Sequence, residues 1–242
     1  MIKIGKIRLG GFPRIAVSVN DTADKETIKS FDADILEIRA DQFKIPDPEH
    51  VSGVIARIKK IGIPLILTVR SKDEGGQKNL PDELKLKIFR KAISLVDAID
   101  IELKSPIVSE VVRIAKKNKK LIIISWHNFK STPDDKALKN ILNGALKKGA
   151  GIVKIAVKAE KADDVNRLMK FTIRNKASNL ITISLGRKGS VSRLIFPMAG
   201  SLITYAYVTR PSGPGQIPLK ALRKLLKIYY PQCGGQKVIF IA

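Results

Sequence analysis

The sequence predicts an α/β protein: a single (β/α)8 TIM barrel over residues 1–242 with a short N-terminal β-hairpin. Three observations predict it. Eight short runs rich in β-branched residues recur along the chain, and segments with helical spacing separate them. Strands alternating with helices imply parallel strands joined by crossovers. Eight such units in 242 residues match the usual size of a closed eight-stranded barrel, which is one domain. An open doubly wound sheet is the competitor, but no strand is followed by G-x-G-x-x-G.

The elements follow in order. "IKIGKIRLGG" reads as a hairpin ahead of the first barrel strand, placed to cover the barrel bottom. The barrel strands are "RIAVSV", "ADILEIRAD", "PLILTVR", "AIDIELK", "KLIIISWHNF", "GIVKIAVKA", "LITISLG" and "LITYAYV". In "PEHVSGVIARIKKIG" apolar residues fall at Val51, Val54, Ile55, Ile58 and Ile61, the spacing of one helix face. "PDELKLKIFRKAISLV" opens with Pro81 and acids in its first turn, as a helix start does. "STPDDKALKNILNGALKKG" offers Ser131 or Thr132 as N-cap, Pro133 near the first helical position and Gly149 as a stop. No linker or low-complexity stretch divides the chain.

Composition narrows the function classes. Forty-five Lys and Arg against 22 Asp and Glu give a net charge of +23. Such charge suits a nucleic-acid binder, or a lysine-rich surface. The lysines are scattered over the predicted helices, and aromatics make up only 5% without interleaving the basic clusters. A base-stacking platform would need that interleaving. The expectation is therefore no nucleic acid, with the charge drawing in an anionic substrate. No apolar run approaches the roughly 18 residues of a membrane span. The start of the chain shows no signal-peptide core. A single cysteine, Cys233, rules out an intramolecular disulfide and fits a reducing cytoplasm.

Strand parity gives the sharper clue. Side chains alternate along a strand, so Glu37, Arg39 and Asp41 share one face. Thr68 with Arg70, Asp100 with Glu102 and Lys104, and Ser125 with His127 do the same. The opposite faces are Ile, Leu and Val, suited to packing under helices. Polar faces must then point into the barrel, toward the strand ends where barrel enzymes build active sites.

Lys154 interrupts the apolar run "GIVKIAVKA". A lysine attacks a carbonyl only when neutral, and burial beside other cations lowers its pKa toward that state. Arg39, Arg70 and Arg193 would supply the field. The alternative is a structural ion pair with Glu37 or Glu102. Lys158 has the same parity but lies nearer the loop. His127 in "SWHNF" is placed for acid–base work, or is a satisfied structural histidine; Glu74 in "TVRSKDEGG" could orient its ring. His50 reads as a solvated residue at a helix start. In "SLGRKGSVSR" the glycines suit a phosphate, while Arg193 suits a carboxylate. "RPSGPGQIPL" offers Ser212 and Gln216 to hydroxyl groups, or is a plain turn.

Taken together, "VS" at Ser18, "EIRAD", "TVRSKDEGG", "SWHNF", "VKIAV", "SLGRKGSVSR" and "SGPGQIP" occur in the order of the type I 3-dehydroquinate dehydratase family, which the chain resembles along nearly its whole length. The resemblance implies a cytoplasmic, homodimeric barrel enzyme of the shikimate pathway with no metal and no cofactor, acting on 3-dehydroquinate. It implies that Lys154 forms the Schiff base, that His127 moves the protons and that Glu74 supports His127. Arg193, Ser212 and Gln216 would bind the carboxylate end and neighbouring hydroxyls, and Ser18, Glu37, Arg39 and Arg70 would complete the pocket. Gly213 stands where the family pattern has Ala, and Asn128 where Asp is also common. Two rivals stay open: a lysine-dependent aldolase using the glycines of the seventh loop for phosphate, and a nucleic-acid-binding module.

Overall fold

The computed structural model describes residues 2–230, so Cys233 lies outside the described residues. Strands β1 (Lys3–Ile4) and β2 (Ile7–Arg8) pair as an antiparallel hairpin. There follow β3 (Arg14–Val19), α1 (Lys25–Lys29), β4 (Ile35–Arg39), α2 (Pro48–Lys59), β5 (Leu65–Thr68), α3 (Asp82–Ala92), β6 (Ala98–Glu102), α4 (Val108–Lys117) and β7 (Leu121–Asn128). Then come α5 (Asp135–Lys147), β8 (Ile152–Lys158), α6 (Ala162–Arg174), β9 (Leu180–Leu185), α7 (Ser192–Ile195), β10 (Ile203–Tyr207), β11 (Ile217–Pro218) and α8 (Leu219–Tyr229). The sheet order is β11-β10-β3-β4-β5-β6-β7-β8-β9 and every pairing in it is parallel. The eight strands β3–β10 are those expected; the two-residue β11 is an addition that pairs in parallel beside the end of β10, just ahead of α8.

Period-two alternation sorts the barrel into layers. Outward residues such as Val17, Leu36, Leu67, Ile99, Ile124 and Val153 pack under the helices in one core. Inward residues at the N-terminal ends of the strands, among them Ala16, Ile35, Ile66, Ala98, Ile123, Ile152 and Ile181, form a second apolar cluster. Ile4 and Leu9 of the hairpin segment join that second cluster, so the hairpin does close the barrel bottom. One inward position further along five of these strands the character changes. Ile35 gives way to Glu37, Ile66 to Thr68, Ala98 to Asp100, Ile123 to Ser125 and Ile152 to Lys154, all buried. The apolar floor keeps water from below, and the charges above it can face only one another or the mouth.

The barrel closes without a regular ladder between β9 and β10. The Leu202 N–H donates to the Leu180 carbonyl at 2.8 Å, and serine hydroxyls serve the remaining edge. Thr182 N–H donates to Ser201 Oγ and Ser184 N–H donates to Ser192 Oγ, each at 3.0 Å. Buried backbone donors need partners, and here side chains stand in for a neighbouring strand.

Helix ends follow the sequence with one correction. Asp47 caps α2, accepting from the N–H groups of Glu49 and His50. Val51, Val54, Ile55 and Ile58 form its buried face, and Ile61 lies just beyond its end. Pro81 precedes α3, with Asp82 and Glu83 in the first turn. For α5 the cap is Asp134, not Ser131 or Thr132: its carboxylate accepts from Ala137 N–H at 2.7 Å. Thr132 is engaged elsewhere, its hydroxyl donating to the Lys158 carbonyl at 2.7 Å and tying the α5 entry to the end of β8. Gly149 follows the helix with φ +93°, the left-handed stop expected. Among the described residues no helix is long and apolar enough to cross a membrane.

Candidate active site

Lys154, third in β8, lies between two carboxylates. Its Nζ is 3.0 Å from Asp100 Oδ2 and 3.3 Å from Glu37 Oε1, and the residue is only 4% exposed. Burial alone would lower its pKa, but Asp100 and Glu37 outweigh that and hold the ammonium above the usual lysine value. This overturns the expectation of an amine kept neutral by burial and neighbouring arginines. The arginines do not supply a bare field, because most are themselves paired. Arg39 grips Asp41 through Nε to Oδ1 at 2.9 Å and Nη2 to Oδ2 at 2.8 Å. Arg70 lies 2.8 Å from Asp100 Oδ1 and 3.2 Å from Glu102 Oε1.

The carboxylates are held ionised in turn. Burial would raise Glu37, but Lys154 and Arg39 outweigh it and keep it below the usual range. Asp100 is likewise held low, against burial, by Arg70 and Lys154. Ser18 Oγ donates to Glu37 Oε2 at 2.7 Å, Thr68 Oγ1 donates to Oε1 at 3.0 Å, and Ser125 Oγ donates to Asp100 Oδ1 at 2.6 Å. Of the two acids weighed as Lys154 partners, Glu37 is one. Glu102 serves Arg70 and accepts the Ser71 N–H at 2.7 Å instead.

In the β7–β8 register Ser125 faces Lys154 and His127 faces Ala156, so the imidazole projects inward one step nearer the mouth than Lys154. Glu74 Oε2 accepts from His127 Nδ1 at 2.8 Å and from the His127 backbone N–H at 3.0 Å. Burial first, then the charges of Arg70 and Lys154, hold the ring well below the ordinary histidine pKa. With Nδ1–H given to Glu74, the lone pair sits on Nε2. Burial pushes the Glu74 carboxyl up to about 7. Phe129 stacks on the imidazole at 11° and lies against Gly75, whose φ of +88° and lack of a Cβ permit the contact.

Arg193, in α7, is 2% exposed, and its Nε has no hydrogen-bond partner among the described residues. Burial pushes its pKa down to about 10, and no carboxylate offsets that. Opposite lies the loop after β10, where Ser212 N–H donates to Gln216 Oε1 at 2.6 Å and Gln216 Nε2 donates to Ser212 Oγ at 2.9 Å. Lys154, His127, Glu74, Arg193, Ser212 and Gln216 line one cavity of about 60 Å³. Every expected site residue lines it except Ser18, which stands behind Glu37 and Ser212.

Comparison with known proteins then decides the family. The family model described as type I 3-dehydroquinase matches residues 16–232. The chain belongs to the type I 3-dehydroquinase family. A 3-dehydroquinate dehydratase of Hydrogenobaculum sp. (strain Y04AAS1) is 39% identical over 219 residues, covering 90% of this chain and 99% of the relative. The solved 3-dehydroquinate dehydratase of Geobacillus kaustophilus HTA426 superposes with a TM-score of 0.88 at 29% identity, covering 97% of each chain. The type I enzyme of Clostridium difficile, solved with covalently modified comenic acid, gives 0.86 at 31% identity over 96% of this chain and 98% of that one.

Several sequence readings need adjustment against this type I 3-dehydroquinase barrel. Lys104 does not join Asp100 and Glu102, because β6 ends at Glu102; it lies over the Trp126 ring, 6.0 Å from the centroid, in an outer cleft. Lys158 is 44% exposed at its side chain and pairs with Glu160, as its place near the loop suggested. His50 is not simply solvated: Nε2 lies 3.2 Å from Asp21 Oδ2. The seventh-loop glycines form no phosphate cradle. Gly186 N–H is given to Pro214 O and Gly189 N–H to Gly186 O. A Cβ on Gly215 would fall 2.3 Å from Gly186 O, so the two loops touch.

Tyr205 was missed as a site residue. It sits inward on β10, paired across the ladder with Ala16, and its ring centroid is 4.4 Å from Lys154 Nζ. Its period-two phase with Ile203 was the available signal, but an aromatic in a strand reads first as core. Asp100 and Ser125 were placed on the polar face without a role; their contacts to Lys154 and Arg70 come only from the closed ring of strands.

Proposed function

We propose that this chain dehydrates 3-dehydroquinate to 3-dehydroshikimate through an imine on Lys154. The observation that carries the reading is a buried ammonium and a neutral imidazole facing one cavity with the unpaired guanidinium of Arg193. Inside such a cavity a carboxylate substrate would give Arg193 its missing partner. That orients the ketone toward Lys154.

The proton accounting closes. Lys154 begins as an ammonium. Its first proton passes to the neutral His127, freeing the nitrogen lone pair to attack the ketone carbon. A second proton shifts from nitrogen to the former ketone oxygen, giving a carbinolamine. The imidazolium returns its proton to that oxygen, and water leaves. An iminium remains, carrying the positive charge the ammonium brought. The iminium draws electrons from the adjacent C–H, and His127 removes that proton. The electron pair forms the C=C bond as the C–O bond at the next carbon breaks, and the imidazolium protonates the departing hydroxyl. Water then hydrolyses the imine and restores Lys154. Glu37 and Asp100 keep the nitrogen's charge tolerable in the buried site.

The loop amides already used within the protein weigh against an aldolase with a phosphate subsite there. The reading extends to one domain, a homodimer and a cytoplasmic setting, in line with the family resemblance and the single cysteine of the sequence.

Borohydride reduction of the enzyme with substrate, followed by peptide mapping, tests the chemistry. The expected mass gain falls on Lys154; a gain on Lys158, or none, refutes the imine. His127→Ala should still be trapped as the adduct, formed more slowly with water carrying the protons, while turnover falls by about 10²-fold or more. Near-normal turnover in that variant removes His127 from the mechanism.

A further inference from the structure

Of the two hydroxyl-bearing residues that line the cavity, Ser212 is bonded to Gln216 and Ser18, while the Tyr205 hydroxyl has no acceptor for its hydrogen among the described residues. The Tyr205 hydroxyl is buried and no acceptor among the described residues reaches it. Lys154 sits over the ring at 4.4 Å and offers only donors, so it can give to the phenol oxygen but cannot take the phenolic hydrogen. The phenolic hydrogen is therefore left to whatever enters the cavity. A buried phenol usually finds a partner, and leaving one unmade costs stability. Phenylalanine would fill the same space beside Ile203 and keep its ring against Lys154 without that cost. Burial holds the phenol above its usual pKa, so it remains a donor across the working range.

We propose that Tyr205 is a further catalytic residue: its hydroxyl donates a hydrogen bond to the oxygen on the carbon that Lys154 attacks. This rests on the Lys154 imine proposed above. The ring contact puts the phenol beside the nitrogen, so it also lies beside the carbon that bonds to that nitrogen. As the lone pair adds, the C=O π pair moves onto oxygen, and the phenol stabilises that developing charge. Tyr205 keeps its own proton throughout. The oxygen takes its two protons from the ammonium, one directly from nitrogen and one by way of His127, and leaves as water. The iminium then retains the face of the ring, which favours a cation. The other hydroxyls near Lys154 are committed elsewhere, Thr68 and Ser18 to Glu37 and Ser125 to Asp100.

The test is Tyr205→Phe, followed by rapid mixing with 3-dehydroquinate and borohydride quench at short times. The Lys154 adduct should accumulate about tenfold or more slowly than in the wild type. The deuterium isotope effect on kcat from substrate labelled at the carbon beside the ketone should shrink, because a step before C–H cleavage has become limiting. The melting temperature should be unchanged or higher, since the unbonded buried hydroxyl is gone. A merely structural tyrosine would lower stability or change nothing. Adduct formation at the wild-type rate overturns the role of Tyr205 while leaving the imine intact. Absence of any adduct in the wild type instead overturns the Lys154 reading, and this inference with it.

Discussion

One carboxylate oxygen of Glu74 serves His127 twice: Oε2 lies 2.8 Å from Nδ1 and 3.0 Å from the backbone N–H. Both donors fall on Oε2, and the ionised carboxylate accepts them more strongly than the neutral acid would. The arrangement fixes the ring's orientation and its tautomer, leaving Nε2 free toward the cavity. Glu74 comes from the turn after β5, two strands from β7, so the pair exists only because the barrel curls those loops together.

A pH dependence follows. Burial pushes Glu74 up to about 7. Above that value the carboxylate is ionised and His127 is set as a base; below it, protonation removes the charge that supports the imidazolium. The kcat/KM profile should therefore fall on the acid side, by about tenfold per unit below the limb. In Glu74→Gln that limb should vanish from the profile and the plateau should drop by about a hundredfold. A limb near 7 that survives the substitution would assign it to another group.

Arg193 should trade stability for substrate binding. Its guanidinium is buried without a counterion, which is unfavourable in the free protein. Arg193→Leu should leave the denaturation midpoint unchanged or raised, while KM for 3-dehydroquinate climbs roughly tenfold to a hundredfold, the worth of charged hydrogen bonds of about 1.5–3 kcal/mol. Steady-state kinetics beside urea unfolding reads both. Lost stability with an unaltered KM would mean that Arg193 holds the fold and not the substrate.

The barrel seam makes a third case. Ser201→Ala strips the Thr182 N–H of its acceptor in a buried edge. The expected cost is about 1–3 kcal/mol in unfolding free energy, with turnover of the folded enzyme retained. A midpoint equal to wild type would show that β9 finds another partner at the seam.

Much of this was legible beforehand. The alternation of β-branched runs with helical spacing required parallel strands, and parity alone put Glu37, Thr68, Asp100, Ser125 and His127 on inward faces. Those readings succeed because a strand's period is local and exact neighbours suffice to define it. The N-cap of α5 was misplaced because Thr132, Asp134 and their neighbours are all competent caps, and the choice turned on a contact to Lys158 O across the barrel.

What the chain determined by itself is which side chains enter the barrel and in what order along each strand. Tertiary structure decided their charges and partners. Lys154 is an ammonium because closure sets Asp100 and Glu37, 54 and 117 residues away in sequence, against its nitrogen. Arg39 and Arg70 are neutralised by pairs while Arg193 is not. Electrostatic energy depends on distance and burial in space, and neither is a property of spacing along the chain.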